Sequence, residues 1–266
     1  MSQAPLLKVD NLSKIYVNHT GLFRKTVKTA FYPLSFTLER GQTLALMGDA
    51  GSGKSSLAKV LAGVLPPTQG SIFINGEKIE ANDYKKRCQL IRMIFQDPNT
   101  ALNPRSRIGQ ILEAPLLLNT SLDAEQRETL IIDTLRMVGL LAEHTHFYPQ
   151  MFSTGQKQRV ALARALILSP NIIVADEAIS NLDISVRSQI INLLLSLQDE
   201  LALSYVLVAN DLGVVRHISD QVILMHEGNV VEAGPSHKVL NNPQSEQAER
   251  LLQSYNNEYR WQPATG

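Results

Sequence analysis

Short apolar runs rich in β-branched and aliphatic residues recur along the chain, at residues 43–47, 91–95, 172–175, 205–209 and 221–225. Several are followed by helical patterns, and strands alternating with helices predict an α/β fold with a mostly parallel sheet. The beginning of the chain differs. Residues 6–9, 34–38 and 71–74 alternate or sit beside turn signals at 39–41 and at Asn75 and Gly76, which predicts an antiparallel β patch. Between Asp97 and about Leu168 the strand signal vanishes. Residues 122–141 carry helical periodicity with Ser121 placed as a cap, so an inserted helical subdomain is expected there. After about Asn242 the pattern fits one last helix and a polar, proline-containing end, to which no chemistry is assigned.

Composition narrows this picture by exclusion. With 266 residues the chain exceeds the ~150 typical of one domain, so it can hold a large α/β domain carrying a subdomain. The 25 Lys and Arg balance the 25 Asp and Glu, which gives no general attraction to nucleic acid or to an anionic membrane surface. Cys88 is the only cysteine, so an intrachain disulfide and a thiolate-held metal are excluded, as suits a reducing compartment. The first residues lack an apolar leader segment, and no stretch approaches the ~18 apolar residues that span a bilayer. Membrane association is therefore expected to run through partners. The six histidines show no metal spacing, and His144 and His146 are placed in a solvated loop. His19, Arg24, Lys25 and Lys28 are read as a basic solvated loop.

The sharpest chemical signal is GDAGSGKSS at residues 48–56: Gly48, Asp49, Ala50, Gly51, Ser52, Gly53, Lys54, Ser55 and Ser56. It fits G-x-x-x-x-G-K-[ST], preceded by the strand LALM and followed by the helical SLAKVLAG. Glycines let successive backbone N–H groups converge on phosphates at a helix N-terminus. Lys54 is placed to reach the β- and γ-phosphates of a nucleotide, and the Ser55 hydroxyl to ligate Mg²⁺. A second strand, IIVAD, ends in Asp176 and Glu177, where ligands of open α/β sheets collect. Phosphoryl transfer needs orientation and charge neutralisation. Asp176 is therefore assigned to Mg²⁺ through water, and Glu177 to positioning and polarising the attacking water.

Further strings tie these motifs to one family. MFSTGQKQRVALARAL at residues 151–166 resembles the signature of ABC transporter ATPases, and SNLD at residues 180–183, ending in Asp183, resembles their D-loop. Tyr16 stands where the family stacks the adenine, Gln96 at its Q-loop, and MHEGNVVEAG follows near the C-terminus. FQDPNTALNPR at residues 95–105 is similar to the oligopeptide and dipeptide importer branch. The resemblance implies an α/β P-loop NTPase, an ABC ATPase core with an antiparallel β patch and an inserted helical subdomain. Residues 1–96 would form the first part of the core, 97–168 the helical subdomain with the signature, 169–241 the rest of the core, and 242–266 a terminal helix and tail. It implies ATP and Mg²⁺, with Ser55, Gln96 and Asp176 around the metal and Glu177, Gln96 and residue 210 around the reacting phosphate. Ser153, Gly155 and Gln156 would serve the nucleotide of a second ATPase subunit, a paralogue or a second copy. Two transmembrane permease subunits and, indirectly, a periplasmic solute-binding protein complete the implied assembly, on the cytoplasmic side of an inner membrane and without nucleic acid.

Two positions depart from the family pattern. Where the family usually has a histidine after the strand at residues 206–209, this chain has Asn210, a shorter and neutral donor expected to weaken hydrolysis at its own site. Thr154 replaces a signature glycine, where a Cβ is expected to crowd the partner's phosphates or to demand a backbone that glycine tolerates better.

Overall fold

The computed structural model describes residues 4–20, 24–80, 83–97, 101–179 and 182–258. The chain opens with β1 (Leu7–Thr20) and β2 (Arg24–Leu38), enters the interior on β3 (Thr43–Gly48) and α1 (Lys54–Leu61), and returns on β4 (Gln69–Ile74) and β5 (Glu77–Ile79). After α2 (Tyr84–Leu90) and β6 (Ile91–Ile94) come α3 (Ile108–Asn119), α4 (Ala124–Met137) and α5 (Thr154–Leu166). Strand β7 (Ile172–Asp176), α6 (Ile184–Leu201), β8 (Ser204–Val208), α7 (Leu212–Ile218), β9 (Gln221–His226), β10 (Asn229–Pro235), α8 (Ser236–Val239) and α9 (Glu246–Glu258) follow.

All five predicted apolar runs become strands of one sheet, ordered β10-β9-β3-β8-β7-β6. The pairings from β9 to β6 are parallel, and β10 closes the edge antiparallel to β9. Strands β3, β7 and β8 are buried at every position, so their continuous apolar sequences fit a sheet covered on both faces. The antiparallel patch is also present, as a four-stranded sheet ordered β2-β1-β4-β5.

Strands β1 and β2 run longer than their apolar cores at residues 6–9 and 34–38. Their ladder continues from Leu7 opposite Leu38 through Tyr16 opposite Lys28 and Val17 opposite Val27 to Thr20 opposite Arg24. The basic segment read as a loop is therefore a paired hairpin at its described positions, with Lys28 inside a strand. Cross-strand backbone pairing satisfies its polar groups without any need for an apolar face, which is why a hydropathy pattern misses it.

Helices α3, α4 and α5 occupy the stretch without strand signal. Ser121 is not the cap of α4. Asp123 is: its Oδ1 accepts the Gln126 N–H at 2.9 Å, and Gln126 Oε1 accepts the Asp123 N–H at 3.0 Å. This reciprocal box satisfies two donors that a helix start otherwise leaves open. His144 also departs from the solvated reading. It lies in a 3-10 turn at Ala142–His146, where its Nδ1 accepts the Leu141 N–H at 3.0 Å. Its ring meets Phe147 and Phe152 edge-on with centroids 5.2 Å apart in each case.

Ile108, Leu112, Leu116, Leu135, Phe152 and Val160 share one buried cluster with Ile173, Leu194 and Tyr205, so the helices and one face of the sheet grow from a common core. The opposite face, with Leu44, Leu46, Val174 and Val206, packs against α1 and the antiparallel sheet. Helix α9 presents Ala248, Leu251, Leu252 and Tyr255 inward, the i, i+3, i+4, i+7 spacing of one helical face. Three of these, Ala248, Leu252 and Tyr255, join a third cluster with Met47, Val215 and Leu224.

Candidate nucleotide-binding site

Parallel strands deliver their C-terminal ends to one edge of a sheet, and here five neighbours do so with polar residues. In spatial order, β9 ends at His226, β3 leads into residues 48–56, β8 is followed by Asn210, β7 ends at Asp176 and Glu177, and β6 is followed by Gln96. Residues far apart in sequence thus meet along one line.

The phosphate loop needs its glycines at specific points. Gly48 has φ +145°, and a Cβ there would stand 1.9 Å from the Met225 carbonyl oxygen. Gly53, at φ +101°, would bring a Cβ within 2.3 Å of the Ala30 carbonyl oxygen. Both positions exclude a side chain by backbone contact as well as by dihedral angle. Gly53 is also the N-cap of α1, so the loop ends on a helix N-terminus with its unpaired N–H groups.

Lys54 folds back over the loop. Its Nζ donates to the Gly48 carbonyl at 2.6 Å, the Asp49 carbonyl at 2.7 Å and Ser52 Oγ at 3.3 Å. Burial pushes its pKa below the ordinary lysine value, opposed by the charges of Glu177, Asp49 and Asp176. A partly desolvated ammonium held by two carbonyls and a hydroxyl, with no carboxylate bonded to it, is ready to take an anionic ligand. Ser55 Oγ donates to Asp176 Oδ1 at 2.8 Å. Asp176 is raised above the usual aspartate value, chiefly by burial, against the lowering effect of the Ser55 hydrogen bond and Lys59.

Glu177 sits at φ +49°, an uncommon conformation for a residue with a side chain, and its N–H donates to the Val208 carbonyl at 3.1 Å. Its carboxylate is gripped on both oxygens. Gln96 Nε2 donates to Oε2 at 2.8 Å and Asn210 Nδ2 to Oε1 at 2.9 Å. Tyr16, on β1, shares a hydrogen bond of 3.2 Å with Ser56 Oγ and carries the Lys14 ammonium over its ring at 5.3 Å.

The structure therefore brings together Tyr16, residues 48–56, Gln96, Asp176, Glu177 and Asn210. Gln96 stands with Glu177 rather than with the Ser55–Asp176 pair. The Asp49 carboxylate turns to His226, 2.5 Å from its Nδ1, instead of toward the loop's open side. Ser153, Gly155 and Gln156 lie elsewhere, at the N-terminus of α5. Ser153 Oγ accepts the Gln156 N–H at 3.3 Å and Gln156 Oε1 accepts the Ser153 N–H at 3.0 Å, a second capping box. Thr154 occupies the first turn of this helix and is absent from the positive-φ positions, so its backbone asks for no glycine. Asp183 caps α6 without a side-chain hydrogen bond and is exposed. Ser180 and Asn181 of the SNLD string, and residues 98–100 of the segment after Gln96, fall outside the described residues.

Sequence reasoning missed three supports. Arg187 Nη1 pairs with Asp211 Oδ2 at 2.5 Å, and its Nη2 donates to the Leu182 carbonyl at 3.1 Å, which links the start of α6 to the residue after Asn210. His226 and Tyr255 brace the loop from behind. The polar residue closing an apolar strand was a visible signal for His226, but nothing in sequence pointed from residue 255 to residue 48.

The oxygen donors fit Mg²⁺, which binds through one or two carboxylates plus substrate phosphates and water rather than a dedicated cage.

The ABC transporter family profile matches residues 31–180. SapF of Escherichia coli, described as a putrescine export system ATP-binding protein, is 55% identical over 247 residues, 93% of this chain and 92% of that one. The dipeptide transport ATP-binding protein DppF of Escherichia coli is 46% identical over 255 residues, 94% of this chain and 76% of that one. Among solved structures, the dimeric ATP-binding cassette MJ0796 in a post-hydrolysis state with ADP and Pi matches with a TM-score of 0.74 and 28% identity, covering 86% of this chain and 98% of that one. With its phosphate loop, clamped glutamate and outward signature helix, and with relatives matched over nearly its whole length, this chain belongs to the ABC transporter family and is one of its ATPases.

Proposed function

We propose that this chain is the ATP-hydrolysing subunit of an ABC transporter that moves peptides across a bacterial inner membrane. The observation that carries the hydrolytic reading is the Glu177 carboxylate held between the Gln96 and Asn210 amides, beside Lys54 and the Ser55–Asp176 pair. Lys54 exchanges the Gly48 and Asp49 carbonyls for the β- and γ-phosphates, and the loop N–H groups follow the same charge. Ser55 and Asp176 would hold Mg²⁺, which would supply charge neutralisation. Glu177, oriented by the two amide donors, positions the attacking water and accepts its proton. Tyr16 stacks its ring on the adenine.

The signature residues Ser153, Gly155 and Gln156 complete the site of a second ATPase subunit, which returns the same service to Lys54. Residues 97–168 act as a helical arm that receives transmembrane permease subunits after Gln96, on the cytoplasmic side. No helix among the described residues is long and apolar enough to cross a membrane. Peptides are supported by the dipeptide transport relative and by SapF of Shigella flexneri, a peptide transport system ATP-binding protein at 55% identity. The Escherichia coli SapF with the same identity is described as acting in putrescine export, so a polyamine is the second reading. A weakly hydrolysing, regulatory role in a heterodimer is favoured by Asn210, whose neutral amide stands where the resemblance calls for imidazole. Purifying the membrane assembly that contains this chain and measuring ATPase stimulation decides the solute. Stimulation by short peptides supports the proposal, and stimulation by putrescine alone replaces it.

A further inference from the structure

The C-terminal helix α9 lies outside the matched family region, yet it reaches the phosphate loop. Tyr255 is 6% exposed, and its hydroxyl bonds both backbone polar groups of Gly48. It accepts the Gly48 N–H at 2.9 Å and donates to the Gly48 carbonyl at 2.6 Å. The same carbonyl receives the Lys54 ammonium at 2.6 Å. A phenol can donate and accept at once, and a carbonyl oxygen has two lone pairs, so all three bonds coexist.

We propose that Tyr255 is a positioning residue for nucleotide binding: its hydroxyl keeps the Gly48 carbonyl satisfied when Lys54 leaves it for the phosphates. This rests on the nucleotide reading of the loop. In this structure the Gly48 carbonyl has two side-chain donors, Lys54 and Tyr255. When the ammonium moves to a polyphosphate, a buried carbonyl without a second donor would be left unsatisfied, and that cost would be charged against binding. With Tyr255 in place the carbonyl keeps a partner, and the Gly48 N–H keeps its acceptor. The hydroxyl therefore lowers the cost of handing Lys54 to the ligand. It also ties down both backbone polar groups of the first glycine of the loop, a position that cannot take a side chain because a Cβ would meet the Met225 carbonyl and Ser52 Oγ.

The test uses the full chain and its assembled transporter, with MgATP as the probe. Tyr255→Phe keeps the ring in its cluster and removes the hydroxyl. It is expected to raise the Kd for MgATP and the KM of the assembly about tenfold, with kcat within about twofold, since one buried hydrogen bond is at stake. Leu252→Ala, on the same buried face of α9, is expected to lower the Tm of the nucleotide-free chain by several degrees with the Kd unchanged. A merely structural role for Tyr255 predicts the reverse for Tyr255→Phe: fewer active molecules, hence a lower kcat at constant KM. A native Kd in Tyr255→Phe overturns the proposal, as does an equal rise in Kd in both variants. A native chain that fails to bind MgATP overturns both the proposal and the reading beneath it.

Discussion

At the sheet edge, Lys54, Ser55, Asp176, Glu177, Gln96 and Asn210 answer one another across four strands, whereas at the start of α5 Ser153 and Gln156 bond to each other. The first group stands at the C-terminal ends of β6, β7 and β8 and at the start of α1, which follows β3, and it includes charges whose pKa values burial has moved: Lys54 downward and Asp176 upward. The second comes from four consecutive residues, with Ser153 and Thr154 exposed. Preorganised charge at a shared edge is how a chain prepares its own chemistry. The start of α5 instead satisfies its own first backbone groups and leaves Ser153 and Thr154 exposed, the arrangement on which the proposed service to a second subunit rests. The contrast explains why the two motifs are equally clear as sequence yet only one of them is part of this chain's own cluster.

The sharpest way to break this contrast is Glu177→Gln. It removes the proton acceptor but keeps the shape, so turnover of the assembled transporter should fall by about 10²–10⁴, while MgATP binding measured by calorimetry is retained. Equal loss of binding and turnover would mean that Glu177 holds the loop rather than the water.

Next is Gly155→Leu at the outward half. A Cβ at Gly155 comes within 2.7 Å of Val186 Cγ1, so a leucine there must shift the start of α5 against α6 and displace Ser153 and Gln156 with it. Nucleotide binding by the isolated chain should be unaffected, and turnover of the assembly should drop about tenfold or more, ~1.4 kcal/mol of barrier. A loss of binding in the isolated chain would show that the signature serves its own loop.

Asn210→His tests the departure at the inner half. Imidazole is longer and can carry charge, so the steady-state ATPase rate of the assembly should rise a few-fold. An unaltered rate, beside the loss in Glu177→Gln, removes the idea that Asn210 limits turnover.

The smallest effect is expected far from either half. Asp123→Ala deletes the cap of α4 and should cost about 1 kcal/mol in denaturant unfolding with no change in MgATP affinity. A change in affinity would couple the helical segment to the loop in the isolated chain.

Some elements were legible because their cause is local. The loop at residues 48–56 carries its glycines, lysine and hydroxyls within nine positions, and the strands β3, β7 and β8 are apolar at most positions because both faces are covered. The hairpin of β1 and β2 was not legible beyond its apolar ends, since the pairing of residues 16–20 with 24–28 depends on backbone register rather than on side-chain hydropathy. The cap at Asp123 was missed for Ser121, two residues away, because either residue type can cap and only the helix path decides. His144 looked solvated by its neighbours, and its packing against Phe147 and Phe152 arises from a turn.

The sequence by itself determined the α/β class, the phosphate loop and the strand-end pair Asp176 and Glu177, because each is a pattern or short string with its own physical meaning, while the family, Gln96 and Asn210 came through resemblance. Only the tertiary structure decided who meets whom. It set Gln96 and Asn210 on the two oxygens of Glu177, Asp49 against His226, Arg187 against Asp211, and Tyr255 on both backbone groups of Gly48. Such contacts join residues up to 207 positions apart. Those around Glu177 and Asp49 follow from the order in which parallel strands lie side by side, and those of Arg187 and Tyr255 from helices packed on that sheet, so they are properties of the assembled layers and of no single segment.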